Sequence, residues 1–207
     1  PKHWLSLFYS VRQQITPGFS PPVTGSLGSN WILMKRKHHN LSLRTILNNG
    51  YRVPTLNDRY WSPGGNPDLL PELSWNVEGG IRYEFNHPKI SISADLNGYS
   101  MWVNNWIAWT PQNAGYWSPV NVNFVRLAGF ESNFSISGHR SRNFLWKIST
   151  QYHLTSAQDL NSGGGNKQLI YVPIHTSNTT AYLYFRGFFL LLNSKICSER
   201  FIRTDNS

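Results

Sequence analysis

Apolar and polar side chains alternate along much of this chain, most clearly over residues 74–85. One face of this segment carries Trp75, Val77, Gly79, Ile81, Tyr83 and Phe85, and the other carries Ser74, Asn76, Glu78, Gly80, Arg82 and Glu84. A period of two predicts a β-strand with two different faces. In water the apolar face packs on a core, whereas in an outer membrane it faces lipid and the polar face lines a wet lumen.

The same alternation predicts an all-β fold of antiparallel, up-and-down strands with almost no helical periodicity. The predicted strands cover residues 3–14, 23–34, 41–47, 74–85, 90–104, 121–136, 144–154, 168–185 and 188–200. Several of them have 11 or more residues. Strands of globular proteins usually have about 5–6 residues, whereas a tilted membrane strand needs about 9–11.

Short turns and long loops alternate between these strands. Turns at 35–40, 86–89, 137–143 and 184–187 are predicted at one end, and loops at 48–73, 105–119 and 156–168 at the other. This asymmetry is typical of outer-membrane barrels, which have short periplasmic turns and longer extracellular loops. The pattern therefore favours part of a transmembrane outer-membrane β-barrel. A soluble, secreted β-sandwich that binds carbohydrate stays open, because alternation alone fits both.

Composition agrees with either alternative and excludes several others. Charged residues make up only 14% of the chain, against about 25% in typical soluble domains, while aromatic residues also reach 14%. The net charge of +9 includes two short basic clusters, at 35–39 and 139–142, and no recognised nucleic-acid motif accompanies them. We therefore expect no nucleic-acid partner. The single Cys197 excludes an intramolecular disulfide.

No pattern in the chain predicts catalysis, a metal or a cofactor. The histidines lack the spacing of metal ligands. The run from Gly163 to Gly165 lacks the lysine and the strand-to-helix context of a phosphate-binding loop. We therefore predict that the protein is not an enzyme.

Aromatic residues concentrate around the predicted loop 105–119. They are Trp102, Trp106, Trp109, Tyr116 and Trp117. Amphipathic rings accumulate at membrane interfaces, so we interpret them first as part of an aromatic girdle. Stacking on a bulky ligand at the extracellular mouth is the second interpretation, and a carbohydrate-binding surface of the soluble alternative is the third.

Residues 51–72 contain the most specific motif. Its first part is Arg52, Val53, Pro54, Thr55, Leu56, Asn57, Asp58, Arg59 and Tyr60, and its second part is Gly65, Asn66, Pro67, Asp68, Leu69, Leu70, Pro71 and Glu72. Together they resemble the barrel signature of TonB-dependent outer-membrane receptors, with Val53 where Ala is usual and Leu70 where Lys is usual. Glu78-Gly79-Gly80 and Gly129-Phe130-Glu131 resemble two further elements of that family.

The resemblance implies a 22-stranded barrel in the bacterial outer membrane, closed by an N-terminal plug domain. Such receptors contact lipid and lipopolysaccharide, bind a scarce nutrient such as a siderophore or cobalamin, and release it inward when TonB acts on the plug. The chain lacks a plug, a TonB box and the family's final strand. We therefore expect residues 1–207 to be one partial barrel domain of about nine strands, from the C-terminal half of the barrel.

The motif residues themselves are expected to be mainly structural. Pro54, Asn66, Pro67 and Pro71 have the side chains that fix turn geometry. Glu72 is expected to accept hydrogen bonds from loop amides. Contact with a ligand is the second interpretation for this segment.

Overall fold

The computed structural model describes residues 4–141, 143–160 and 167–203, so Arg142 and the run from Gly163 to Gly165 lie outside the described residues. The described residues form one antiparallel sheet of ten strands. Chain neighbours pair in the order β1-β2-β3-β4-β5-β6-β7-β9-β10, and the short β8 pairs with β7 beside this path. The predicted all-β, up-and-down fold is thus confirmed.

The elements have the following bounds: β1 Leu5–Arg12, β2 Thr24–Lys35, β3 His39–Arg52, α1 Leu56–Tyr60, β4 Glu72–His87, β5 Ile90–Pro111, β6 Trp117–Ser141, β7 Phe144–Asp159, β8 Lys167–Gln168, β9 His175–Phe185 and β10 Phe188–Cys197. No helix within the described ranges is long and apolar enough to cross a membrane. A sandwich needs two packed sheets, whereas the described strands belong to one sheet.

Two expectations about the elements were wrong. Residues 105–119 are not a long loop, because β5 continues to Pro111 and β6 starts at Trp117. Their Trp, Asn and Pro residues have the composition of a loop, but the two strands keep pairing with each other, as Trp106 with Val122 and Pro111 with Trp117. The helix α1 was also missed, since five residues give too short a segment for helical periodicity.

Other boundaries moved by several residues. β3 extends to Arg52 instead of ending near residue 47, because β4 pairs with it over its whole length. β9 begins at His175 rather than at residue 168. The turns after β2, β4, β6 and β9 lie at one end of the sheet, and the connections 13–23, 53–71 and 112–116 lie at the other. Of the predicted loop 156–168, β7 covers residues up to Asp159 and β8 covers residues 167–168, and residues 161–166 lie outside the described residues.

The apolar face of the sheet is exposed in the described residues. On β4, Trp75, Val77 and Ile81 keep 55%, 46% and 46% of their surface accessible. The step from Trp75 to Phe85 covers ten residues, or roughly 34 Å along the strand, and a tilt of about 45° reduces this to about 24 Å of height. This height matches the apolar band of an outer-membrane barrel, about 25 Å tall. We call this the outward face.

The opposite, inward face carries the ion pairs. The guanidinium of Arg44 lies 2.6 Å from the carboxylate of Asp95, and Arg82 lies 2.8 Å from Glu84. The cross-strand register places these residues on one face. A wet lumen accommodates charged residues on the face that lines it, whereas charged residues on a lipid-facing surface are costly.

Buried apolar residues gather at one end of the sheet, beyond the ion pairs. The buried apolar residues among those described are Leu69, Val103, Ile107, Val125 and Ala157. Leu69 belongs to the connection 53–71, and the next three belong to β5 and β6 on the inward face. The motif of residues 51–72 thus coincides with the only concentrated core in the described part of the chain.

Candidate functional site

The connection between β3 and β4, residues 53–71, is called the motif loop here, and it starts with a well-capped helix. Thr55 is the N-cap of α1, and its hydroxyl accepts the backbone N–H of Asp58 at 3.1 Å. In return, the Asp58 carboxylate accepts the backbone N–H and the hydroxyl of Thr55, at 2.9 and 2.7 Å. This capping box explains why a single helical turn is stable at this position.

Asp58 also ties the motif loop to the sheet. Its second carboxylate oxygen accepts the indole N–H of Trp109 at 3.0 Å, and Arg52 lies 3.9 Å away. Burial alone would raise the pKa of Asp58. The hydrogen bonds from Thr55 and Trp109 and the charge of Arg52 outweigh that effect and hold the pKa below its ordinary value. The carboxylate is therefore ionised, and both of its oxygens accept hydrogen bonds within this network.

Glu72, the first residue of β4, forms the second tie. Its two oxygens pair with the guanidinium of Arg52, with Nε–Oε2 at 2.6 Å, and one of them accepts the backbone N–H of Ile107 at 2.7 Å. The hydrogen bond to Glu72 raises the pKa of Arg52 above its ordinary value. The expected role of Glu72 in satisfying backbone amides is visible here, although the amide belongs to β5 rather than to the loop.

Asparagine side chains form a third set of ties. Asn121 on β6 accepts the N–H of Leu70 at 2.8 Å and donates to the carbonyls of Leu70 and Asn105, at 3.0 and 2.8 Å. Asn66 donates to the carbonyl of Pro119 at 3.3 Å. Where β4 does not extend, β5 has no strand beside it. Side-chain amides both donate and accept hydrogen bonds, so they bond to backbone groups that a neighbouring strand would otherwise pair.

Gly64 allows the motif loop to approach the tip of the β5–β6 hairpin. Its φ of +119° is rarely adopted by other residues. A Cβ on this residue would lie 2.2 Å from the carbonyl oxygen of Trp117 and 2.9 Å from the ring of Tyr116. The loop and the hairpin tip are therefore in backbone contact at this point.

The motif residues differ in exposure. Pro54 and Leu69 are buried, whereas Leu56 and Tyr60 are 76% and 61% exposed. Arg59 lies over the ring of Phe19 at 5.5 Å, which connects α1 to the β1–β2 connection. Most of the motif thus builds the contact between the loop and the hairpin, and Leu56 and Tyr60 remain available at the surface.

The structure separates the aromatic residues that the sequence grouped together. The register of β5 puts Trp102 and Trp106 on the outward face, where Trp102 pairs with Trp75. Trp109 lies on the inward face and binds Asp58. Tyr116 and Trp117 lie at the hairpin tip, 38% and 39% exposed, and the ring of Trp117 is 6.0 Å from that of Tyr171.

Sequence reasoning did not single out Asn105 or Asn121 as members of the site, and it named Asp58 only as one residue of the motif. Asp58 follows the N-cap Thr55 by three residues, which is a readable capping signal. No local pattern marks the two asparagines, because their role depends on how far β5 and β6 extend beyond β4. In the described ranges, no three His, Cys, Asp or Glu side chains are grouped so as to hold a metal ion.

Residues 9–204 match the family model described as TonB dependent receptor-like, beta-barrel. The chain belongs to this family. The outward face is consequently the lipid-facing surface of a bacterial outer-membrane protein, and the inward face is its lumen.

The chain matches two relatives that are named as transporters, each over part of its length. It is 39% identical over 83 residues to the vitamin B12 transporter BtuB of Vibrio vulnificus, and 38% identical over 86 residues to BtuB of Photobacterium profundum. These matches cover 40% of this chain and 13% and 14% of the relatives. The copper transporter OprC has a similar fold, with a TM-score of 0.65 and 16% identity over 88% of this chain and 27% of that one.

Proposed function

We propose that the chain forms part of the wall and mouth of an outer-membrane receptor that takes up a large, scarce nutrient with energy supplied through TonB. The observation that carries this proposal is the motif loop clamped to the inward side of the β5–β6 hairpin, in a chain of the TonB-dependent receptor family. Such a clamp holds the hairpin above the membrane, where it flanks the entrance to the lumen.

The inward ion pairs support a plug domain of the parent chain as the neighbour inside the lumen. Arg44, Asp95 and Arg82 form a connected group, and Glu131 lies 3.3 Å from His153. The Nε of Arg44 is buried and has no hydrogen-bond partner among the described residues. The rest of the Arg44 side chain is 41% exposed on the inward face, so an acceptor from the plug can reach the outer nitrogens of the guanidinium, and movement of the plug under TonB would then break few and specific contacts.

The exposed rings at the hairpin tip are the proposed contact with the ligand. Trp117 lies on the inward side by register and, with Tyr116 and Tyr171, presents partly exposed aromatic surface. Such rings bind flat or apolar parts of a ligand at low entropic cost. Siderophores and cobalamin both have such parts, and two relatives are vitamin B12 transporters, so a corrinoid is the first ligand to test.

The test measures binding and uptake of radiolabelled cyanocobalamin by cells whose only vitamin B12 receptor is the complete polypeptide containing this chain. We expect uptake to require TonB. We expect Trp117→Ala to weaken binding about tenfold, while the matched change Trp106→Ala on the outward face leaves binding unchanged.

A panel of ferric siderophores distinguishes a wrong choice of ligand from a wrong transport function. Uptake of a siderophore instead of cobalamin, still dependent on TonB, changes the ligand and keeps the transport function. Absence of TonB-dependent uptake for the whole panel, in cells that display the folded barrel, contradicts the proposal.

A further inference from the structure

A polar cleft lies on the inward side of β1, β2 and β3, at the end of the sheet that carries the motif loop. It is called the mouth cleft here. Its volume is about 420 Å³, which is in the range of ligand pockets. Hydroxyl and amide side chains and one arginine line it, namely Ser10, Arg12, Gln14, Thr24, Ser26 and Asn48. No Asp or Glu is among the described residues of its lining.

The mouth cleft opens where β2 and β3 separate. Their pairing stops at Ser26 and Asn48, although β2 itself continues to be paired with β1. Beyond this point the side chain of Asn49 accepts the backbone N–H of Gly25 at 2.7 Å, in place of a strand partner. Gly50, the next inward position of β3, has no side chain to fill the gap. Space is therefore left between the two strands on the lumen side.

Arg12 gives the mouth cleft a positive charge. It pairs with Thr24 on the inward face, and its side chain is exposed. The ion pairs found within the described ranges do not include Arg12. By contrast, Arg44 and Arg82 on the same face lie next to carboxylates, which balance their charges. Arg12 therefore differs from these two in having its charge available to a ligand.

The donors of the mouth cleft identify the kind of group that fits it. A guanidinium binds a carboxylate or a phosphate through two parallel N–H···O bonds. The hydroxyls of Ser10 and Ser26 lie 2.7 Å apart, and one hydrogen between them satisfies that contact. The other hydroxyl hydrogen is left to donate to a further acceptor. A positive charge with hydroxyl donors and no carboxylate suits an oxyanion and disfavours a metal cation.

We propose that the mouth cleft binds an oxyanion group of the nutrient, either a phosphodiester or a carboxylate, with Arg12 as the charged partner. This inference rests on the proposed transport function and specifies the chemistry of the nutrient. The nutrient has an anionic arm in addition to the flat or apolar part that contacts the hairpin tip. Three strand-to-strand steps separate β2 from β5, or roughly 14 Å, so one bulky molecule can reach both sites.

The test compares matched pairs of probes on cells that display the complete polypeptide containing this chain. Cyanocobalamin carries a phosphodiester that dicyanocobinamide lacks, and ferrichrome A carries free carboxylates that ferrichrome lacks. Arg12→Gln should weaken binding of the anionic member about tenfold and leave the neutral member unchanged. Arg12→Lys should retain part of the preference, because it keeps the charge and loses the bidentate geometry. Lys167→Gln removes a cation at the same end of the sheet but outside the cleft, and it should change neither.

Filling the mouth cleft tests its position without a change in charge. A Cβ on Gly50 would meet only the hydroxyl of Ser74, at 2.6 Å. Rotation of that hydroxyl relieves the contact, so Gly50→Val can fold. It should weaken binding of the anionic member of a pair and spare the neutral one. Gly98→Val is the matched control, because it lies on the outward face and its Cβ would meet no atom closer than 4.0 Å.

The outcomes separate this inference from the transport function. Wild-type binding of the anionic probe by folded Arg12→Gln and Gly50→Val would overturn the inference and leave the transport function intact. TonB-dependent uptake of neutral nutrients only would do the same. Absence of TonB-dependent uptake of every probe, in cells that display the folded barrel, would overturn both proposals.

Discussion

The carboxylate of Glu72 accepts the backbone N–H of Ile107 across 2.7 Å, at the point where β5 extends beyond β4. Ile107 is 7% exposed, so water does not readily replace this acceptor. The same carboxylate holds Arg52. The Glu72 side chain therefore stands where the pairing of β4 with β5 ends, and it supplies an acceptor to the part of β5 that continues.

Replacing Glu72 should accordingly destabilise the folded barrel. Glu72→Ala leaves a buried N–H without an acceptor, which costs about 1–3 kcal/mol, whereas Glu72→Gln keeps an acceptor and should cost less. The measurement is the temperature at which the barrel loses its heat-modifiable mobility on SDS gels. Glu78→Ala is the control, because its carboxylate is exposed and accepts from Asn76 within the same strand. Equal melting of Glu72→Ala and Glu78→Ala would contradict the role given to Glu72.

The lipid-facing assignment predicts opposite results for two kinds of substitution. Ile81 and Ile148 are 46% and 43% exposed on the outward face, so Ile81→Arg and Ile148→Arg should each cost about 2–4 kcal/mol in the bilayer and block assembly. Glu84→Gln should assemble normally, because its amide still accepts from Arg82 on the inward side. Outer-membrane fractions probed for heat-modifiable protein measure this, and normal assembly of both Arg variants would refute the orientation.

Gly64 and Gly115 form a matched pair for the contact between the motif loop and the hairpin. Both have positive φ, at +119° and +81°, but only a Cβ on Gly64 meets neighbouring backbone, at 2.2 Å. Gly115→Ala should cost about 1–2 kcal/mol from backbone strain. Gly64→Ala should cost more and should also expose residues 112–116 to proteolysis. The same cleavage rate in both variants would show that this contact does not hold the tip.

Acid should loosen the motif loop through Asp58. The pKa of Asp58 is lower in the folded protein than its ordinary value of 3.8, so its contribution to stability is present above that value and is lost as the pH falls through the lowered pKa. Hydrogen-exchange protection of α1, corrected for intrinsic rates, should therefore decrease in acid. Asp58→Asn should remove this pH dependence and Asp68→Asn should keep it. A wild-type loop equally protected on both sides of this range would contradict the prediction.

The strand pattern was predictable from sequence because alternation depends on each residue and its near neighbours. The strand at residues 74–85 followed from that alternation, and the turns at 35–40, 86–89 and 184–187 were also predicted. The turn predicted at 137–143 was wrong, because β6 continues to Ser141. The extent of β5 did not follow from the alternation, since Asn105, with its φ of +58°, and Trp109 lie in a segment whose composition resembles a loop. Whether such a segment is a strand depends on what pairs with it, and the partner of Asn105 in the motif loop is 34 residues away in sequence.

The sequence located the residues of the site as a motif, but it did not predict their three-dimensional arrangement. The resemblance located residues 51–72, and the capping signal of Thr55 and Asp58 is local. The division of Trp106 and Trp109 between two faces required the continuation of β5 beyond residue 104, which the sequence did not predict. Asn121 has no signal of its own, because its function is to replace backbone hydrogen bonds between segments far apart in the chain.

The overhang of the β5–β6 hairpin affects how this region can diversify. Beyond Asn104, the last β5 residue paired with β4, β5 runs through residues 105–111, or roughly 24 Å of strand. The motif loop contacts this overhang as far as Tyr116 and Trp117, which lie against Gly64, while residues 112–115 only connect this contact to the end of β5. Changes in those four residues can alter the chemistry offered to incoming molecules without disturbing the membrane-spanning wall. Variation among orthologues should therefore concentrate in this short stretch, and the asparagines and acids beneath it should stay fixed.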